Sequence, residues 1–195
     1  MRRKTFDMIL TAGGAVLVVV LLAAGSLGLW GYSYANSNVH DQLAQQQISF
    51  PPAGSPALAS PKIGPYLNQY AGQQLLTGQQ AEAYADHFIA VHLSEMPYGG
   101  VYAKASAAAL ADPKNATVAG EVNTIFKGTT LRGLLLEAYA FWTIGQVALV
   151  GAIVSFVMAG VMLILVGFGF WHARRTPEEQ EVLTHHPEVR EPVSV

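Results

Sequence analysis

Histidine and carboxylate side chains in the middle of the chain offer the first candidate chemistry. His87, His92 and Glu95 lie in one predicted helix, and two histidines with a carboxylate are typical of a non-heme iron site. The spacing argues against such a site, because residues five apart lie about 140° apart around a helix, whereas paired helical ligands stand three or four residues apart. His92 and Glu95 do share a face, where a local hydrogen bond or ion pair is the simpler interpretation. We therefore predict no catalytic residue, no metal site and no cofactor.

Other reactive groups are scarce. Cysteine is absent, which excludes a disulfide framework, a thiol nucleophile and a Cys-ligated metal. His185 and His186 lie in a C-terminal segment rich in acidic residues and prolines, where we expect solvated side chains. The net charge is −2 and no Lys/Arg cluster is interleaved with aromatic residues, so a nucleic-acid partner is not expected.

The composition is that of a membrane protein. Hydrophobic residues make up 51% of the chain and charged residues only 12%, about half the usual fraction of soluble domains. Two stretches, Met8–Val39 and Ala138–Trp171, contain no Asp, Glu, Lys, Arg or His. Each is long enough to cross a hydrocarbon core of about 30 Å. They predict transmembrane helices at residues 8–31 and 144–171.

Two alternatives exist for these stretches. Either could be the buried helix of a soluble protein, although uncharged runs of this length are typical of membranes. The first could be a cleaved signal peptide, since Arg2, Arg3 and Lys4 precede it and Ser33-Tyr34-Ala35 resembles a cleavage site. Signal peptides usually have apolar regions of about 7–15 residues, shorter than this one, so we expect an uncleaved anchor.

Basic residues near the spans predict the orientation. Arg2, Arg3 and Lys4 precede the first span, Arg174 and Arg175 follow the second, and the first Lys or Arg after the first span is Lys62. Positive residues favour the cytoplasmic side. We predict a plasma-membrane protein with cytoplasmic tails at 1–7 and 172–195 and an extracytoplasmic loop at 32–143. The predicted interface anchors are Arg2, Arg3, Trp30, Trp171, Arg174 and Arg175.

The spans carry a packing signal but none for transport. They contain no ionisable residue, which argues against a proton or ion pathway through this chain alone. Small residues recur at Gly151, Ser155 and Ala159, and again at Gly25 and Gly28. Small residues allow close approach of helices. The spans could pack on each other, on other subunits, or on both.

The loop is predicted to be mostly helical, so the fold class is an all-α membrane protein. The proline-rich segment 51–65 is expected either to lie extended over a surface, with Ile63, Tyr66, Leu67 and Tyr70 packing, or to form a flexible linker. Thr77 and Gln80 have the spacing of a capping box, which predicts a helix from about 78 to 95 that Pro97 ends. Further helices are predicted over 101–111 and Thr117–Phe126, with a break at Gly128. Thr129 or Thr130 would then cap a last helix, continuous or hinged near Gly145, that enters the second span.

Three stretches of the chain resemble a known family. They are SNVHDQLAQQQISFPP at 37–52, YADHFIAVHLSEMPYGGVYAKASAAALADP at 84–113 and FKGTTLRGLLLEAYAFWTIG at 126–145. With the spans, they resemble the actinobacterial two-span membrane proteins of the prokaryotic respiratory supercomplex association factor. Members often carry the label of aromatic ring-opening dioxygenase, for which this chain lacks the ligand set.

The resemblance implies a non-enzymatic accessory subunit of the cytochrome bc–cytochrome oxidase supercomplex, binding no heme or metal itself. Its expected partners are integral membrane subunits of that assembly and membrane lipids. One alternative is a stand-alone membrane sensor or adaptor with a ligand-binding external domain. Its weak point is the C-terminal tail from His172 to Val195, which is short for a folded output domain. The other alternative is an enzyme, and we expect no turnover of a catechol with ferrous iron.

Overall fold

The computed structural model describes residues 3–175, and this part of the chain is all-helical. No β-strand occurs in the described residues, where Ser49 and Gln74 form an isolated β-bridge. The α-helices are α1 Arg3–Gln46, α2 Gly64–Leu67, α3 Gly78–Tyr84, α4 Ala90–Ser94, α5 Tyr102–Ala111 and α6 Ala116–Arg175. A π-helical segment, Ala85–Ile89, joins α3 to α4. The predicted all-α class is confirmed.

The chain divides into two compact units. The first, here called the span unit, comprises residues 1–28 and 150–195, of which 3–28 and 150–175 are described. The second, here called the loop unit, comprises residues 29–149. Both long helices contribute residues to both units.

Among the described residues, α1 and α6 are the helices long and apolar enough to cross a membrane. In the most apolar window of each, only 17% of α1 and 11% of α6 is buried inside the protein. The core helix of a soluble protein would have most of this window buried. A membrane location for both helices therefore agrees with their exposed apolar surfaces.

Helix α6 is continuous over 60 residues, so the predicted break at Gly128 and the predicted cap at Thr129 or Thr130 are wrong. A glycine lowers helix stability by about 1 kcal/mol but leaves the backbone hydrogen bonds in place. At Gly128 the missing side chain makes room for Leu93, whose Cδ2 would lie 2.8 Å from a Cβ there. The helix begins after Asn115, whose Oδ1 accepts hydrogen bonds from the amides of Thr117 and Val118 at 3.2 and 3.3 Å. It also continues through Gly145, so no hinge is present there.

The helix predicted over 78–95 is present as α3, the π-helical segment and α4, ending at Ser94. Its predicted capping box is confirmed: the Gln80 amide donates to Thr77 Oγ1, and the Gln80 side chain accepts from the Thr77 amide. Pro97 begins the turn that follows. Helix α5 matches the segment predicted at 101–111 within one residue at its start.

The proline-rich segment packs against the core and is not a polyproline strand. Pro56 begins a short 3-10 helix and Pro65 lies in the first turn of α2, where the missing proline amide removes no helical hydrogen bond. Ile63 and Leu67 are buried, as predicted. Tyr70 is partly buried against the core, whereas Tyr66 is 46% exposed.

Candidate functional site

In the span unit, α1 and α6 pair along residues that recur alternately every three and four positions. On α1 the residues with this spacing are Asp7, Thr11, Gly14, Val18, Leu21, Gly25 and Gly28, all buried or partly buried; Lys4 and Ala15 are also partly buried. On α6 they are Ala152, Ser155, Ala159, Met162, Val166, Gly169 and Ala173. This spacing is the heptad pattern of a left-handed helix pair. The helices run antiparallel, because a Cβ at Gly14 would meet Val166 and one at Gly25 would meet Phe156.

Of the residues predicted for helix packing, four lie between the paired helices and one faces away from them. Gly25 lies under the ring of Phe156, whose Cε1 would be 2.8 Å from a Cβ. Ala159 is buried at 1% exposure, and Ser155 and Gly28 are partly buried. Gly151 faces outward, since a Cβ there would meet no atom within 4 Å. Its neighbour Ala152 is buried in the pairing instead.

The remaining surface of the span unit is apolar and uncovered. Large hydrophobic side chains that are at least about half exposed project from both helices. They are Met8, Ile9, Leu10, Val16, Val19, Val20 and Leu27 on α1, and Val150, Ile153, Val154, Val157, Met158, Val161, Leu163, Ile164, Leu165, Phe168, Phe170 and Trp171 on α6. Gly151 and Gly160 interrupt this surface with open space above their Cα atoms. Exposed apolar surface of this extent is typical of contact sites with a membrane or with another protein.

The predicted interface anchors are mostly exposed aromatic and basic residues. Trp30 stacks on Tyr34 with ring centroids 5.7 Å apart. The Arg175 guanidinium lies 4.3 Å from the centre of the Trp171 ring, a cation–π contact. Arg3 and Arg174 are exposed at the ends of their helices. Arg2 lies outside the described residues, as do His185, His186 and the rest of the tail after Arg175.

The loop unit has its own hydrophobic core. Val39 and Leu43, near the C-terminal end of α1, are both buried in it. They pack with residues from the proline-rich segment, from α3 and from α6. Two chain segments close over this core, where the Phe50 amide donates to Gln73 O and the Leu75 amide to Ile48 O, both at 2.9 Å. The loop is thus a folded domain rather than a connecting strand.

The π-helical segment places an ion pair against α6. Asp86 Oδ1 accepts a hydrogen bond from Arg132 Nη2 at 2.6 Å, and both side chains are partly exposed. The Nε atom of Arg132 is buried and has no partner among the described residues. A pair of this kind holds the π-helical segment against α6. Its role is structural.

His87 and His92, whose spacing argued against a metal site, contact different neighbours. His87 stacks on Tyr66 with centroids 3.5 Å apart and planes 2° apart. His92 Nδ1 lies 2.7 Å from the carbonyl oxygen of Phe88, and its ring leans on the Phe88 ring. No group of three His, Cys, Asp or Glu side chains in residues 3–175 could hold a metal ion. Both imidazoles therefore have local packing roles in this structure.

An apolar groove of about 470 Å³ lies between α4 and α6 in the loop unit. Phe88, Leu93, Met96 and Leu131 are among its walls, and His92 contributes a polar group at its edge. Nearby, burial raises the pKa of the Tyr84 phenol above its ordinary value. The groove can hold an apolar group, but the residues around it show no catalytic arrangement.

No family model, curated protein or solved structure matches this chain. The resemblance to the supercomplex association factors accordingly stays a prediction.

Two features of the structure were missed from the sequence. The first is the heptad pairing on α1. The spacing of Thr11, Gly14, Val18 and Gly25 follows a seven-residue repeat, which would have predicted this buried face, whereas a search for glycines alone did not. The Asp86–Arg132 pair had no such signal, since its partners are 46 residues apart in sequence.

Proposed function

We propose that this chain is a non-catalytic accessory subunit of a respiratory-chain membrane complex, the supercomplex of cytochrome bc and cytochrome oxidase. The observation that carries the proposal is the uncovered apolar surface of the span unit, with open glycine positions at Gly151 and Gly160. Without polar groups to drive association, membrane helices pack where small residues let backbones approach. The surface fits contact with the helices of neighbouring subunits.

The choice of complex rests on the sequence resemblance at 37–52, 84–113 and 126–145. The topology rests on the basic residues at the two helix ends, which favour cytoplasmic tails and an extracytoplasmic loop unit. In this arrangement α1 and α6 cross the membrane in opposite directions. The folded loop unit then stands outside the bilayer.

A passive role agrees with the chemistry of the chain. The predicted spans contain no ionisable side chain, so they offer no proton relay of their own. The Asp86–Arg132 pair and the two stacked histidines of the loop unit contact protein groups. These observations support a subunit that joins or steadies other subunits rather than one that carries electrons or protons.

The decisive experiment is an affinity purification of this chain from its native membranes in mild detergent, followed by mass spectrometry and a heme spectrum. Cytochrome subunits in near-stoichiometric amounts are the expected result. An eluate without heme, containing this chain alone or signalling proteins, would overturn the proposal.

Leucine substitutions at open glycines test how partners are held. Gly151→Leu and Gly160→Leu each place a side chain where the chain itself leaves free space, so the monomer fold is kept. We expect at least one of them to lower the heme recovered. Gly120→Leu is the matched control, since Gly120 is equally open but lies in the loop unit. If both span variants recover heme as the control does, the outward faces are not where partners bind.

A second candidate is a membrane sensor or adaptor, favoured by the apolar groove between α4 and α6. A small apolar molecule filling it would raise the melting temperature of the purified chain. A Leu131→Trp variant, which fills the groove from one wall, should lose that shift. Screening amphipathic aromatic compounds by thermal shift distinguishes this candidate, because an accessory subunit requires no such ligand.

A further inference from the structure

A second groove, of about 530 Å³, runs along one side of the paired helices in the span unit. Its walls include Leu10, Gly13 and Leu17 from α1 and Met162, Leu165 and Val166 from α6. Gly13 forms an open floor, since a Cβ there would meet no atom within 4 Å. The one hydroxyl in the lining, that of Thr11, donates to the carbonyl oxygen of Asp7 at 2.7 Å. The groove therefore presents hydrocarbon to whatever occupies it.

Basic residues stand at the end of the helices nearest this groove. Arg174 and Arg175 follow the lining residue Gly169 by five and six positions, about one and a half helical turns. Arg3 and Lys4 lie at the matching end of α1. The acidic group at this end is Asp7, whose Oδ2 lies 3.9 Å from His172 Nε2. Among the described residues of these helix ends, positive charge outnumbers negative charge.

We propose that the groove binds an acyl chain of an anionic phospholipid whose headgroup lies among the basic residues at this end of the two helices. An apolar groove that ends at a basic cluster matches a molecule with a hydrocarbon chain and a negative head. Anionic headgroups are attracted by basic residues at the membrane surface. A transmembrane helix of a partner fits less well, because such helices tend to bring basic residues of their own to the cytoplasmic side.

The inference requires that α1 and α6 cross a membrane but is independent of the respiratory partner. Failure of the heme recovery described above leaves it standing. Conversely, loss of the lipid leaves the outward faces with Gly151 and Gly160 available to partners.

The test uses the full-length chain reconstituted with equal amounts of phosphatidylglycerol and phosphatidylcholine and then returned to mild detergent. Native mass spectrometry counts the lipids retained. We expect phosphatidylglycerol to be retained in preference to phosphatidylcholine. Gly13→Leu should lower that retention about tenfold, since the leucine displaces two or more methylene groups of the acyl chain. Gly13→Ala should give a smaller loss in the same direction.

Two variants serve as controls for the groove and for the headgroup. Gly160→Leu adds the same side chain at an open position away from the groove and should retain lipid as the wild type does. The double variant Arg174→Gln/Arg175→Gln should lose the preference for phosphatidylglycerol while still retaining lipid. Equal retention by the Gly13→Leu and wild-type chains would overturn the site. A wild type without preference, or a double variant that keeps it, would overturn the anionic headgroup.

Discussion

The start of α3 depends on the side chain of Gln80, which is only 8% exposed. Its Oε1 accepts hydrogen bonds from the amides of Leu76 at 2.8 Å and Thr77 at 3.1 Å, and its Nε2 donates to Gln73 Oε1 at 3.2 Å. Gln80→Ala leaves two partly buried backbone amides without an acceptor. At roughly 1–2 kcal/mol for each, the expected loss is about 2–4 kcal/mol, or about 8–16 °C in melting temperature for a domain of this size.

Gln80→Glu is the informative comparison. The carboxylate keeps an oxygen for both amides, and its negative charge is favourable in the first turn of a helix. Its second oxygen takes the place of Nε2, 3.2 Å from Gln73 Oε1, so the exposed Gln73 side chain must turn away or present its amide group. We expect a smaller loss of stability than for Gln80→Ala. Gln79→Ala, at the exposed neighbouring position, should change the melting temperature little.

Trp142 provides a local readout for these variants. The chain has three tryptophans, and Trp142 packs against the backbone of Gly78, in the first turn of α3. A background of Trp30→Phe and Trp171→Phe leaves its fluorescence as the reporter during thermal unfolding in detergent. Equal destabilisation by Gln80→Ala and Gln80→Glu would refute the reasoning, since it would mean that the accepted hydrogen bonds are not what stabilises the helix start.

Three further predictions concern the loop unit. Gly100→Ala should lower the unfolding free energy of the loop unit by about 1–3 kcal/mol, because φ is +67° and a Cβ would overlap the carbonyl of Leu93. Gly99→Ala, where φ is also positive but the space is open, should lower the unfolding free energy by less in the same chemical unfolding assay. Gly120→Ala should raise the unfolding free energy by about 0.5–1 kcal/mol, since the added methyl group lies in an open helical position and removes the backbone entropy cost of glycine. An unchanged or lower midpoint of chemical unfolding would contradict this. Because burial raises the folded-state pKa of Tyr84 above 10.0, the contribution of Tyr84 to stability should be fully present below pH 10 and be lost as pH rises through the folded-state pKa. Tyr84→Phe should remove that part of the fall in a pH series of melting curves, and an identical profile in the variant would contradict it.

Local signals in the sequence predicted local features of the fold. The Thr77 cap, the stop at Pro97 and the helix over 101–111 each depend on residues only a few positions apart, and each is present. The break predicted at Gly128 failed because the helix-breaking tendency of one glycine is small beside the packing of Leu93 against it. Long-range packing of this kind cannot be seen in a helical window.

The proline-rich segment is a second case in which local sequence signals did not determine the structure. Proline excludes helix interiors but is favourable at helix starts, so the density of prolines could not distinguish extended chain from short turns. The pairing of residues 48–51 with 72–75 settles the path of this segment. That pairing joins stretches more than twenty residues apart, and neither stretch has the alternation of apolar and polar residues that would predict a strand. The ion pair of Asp86 with Arg132 was hidden for a related reason, since either side chain alone is an ordinary surface group.

The π-helical segment Ala85–Ile89 also bears on how this chain can change in evolution. A π-turn uses one residue more than an α-turn, and such segments are commonly read as single-residue insertions into an older helix. Deleting one residue here would restore a regular α-helix and leave the residues on either side close to their present orientations, because the wider turn holds the extra residue. Leu93 would then stay against Gly128. This stretch should therefore accept a change of length by one residue, so that single-residue gaps in an alignment of related sequences would fall here.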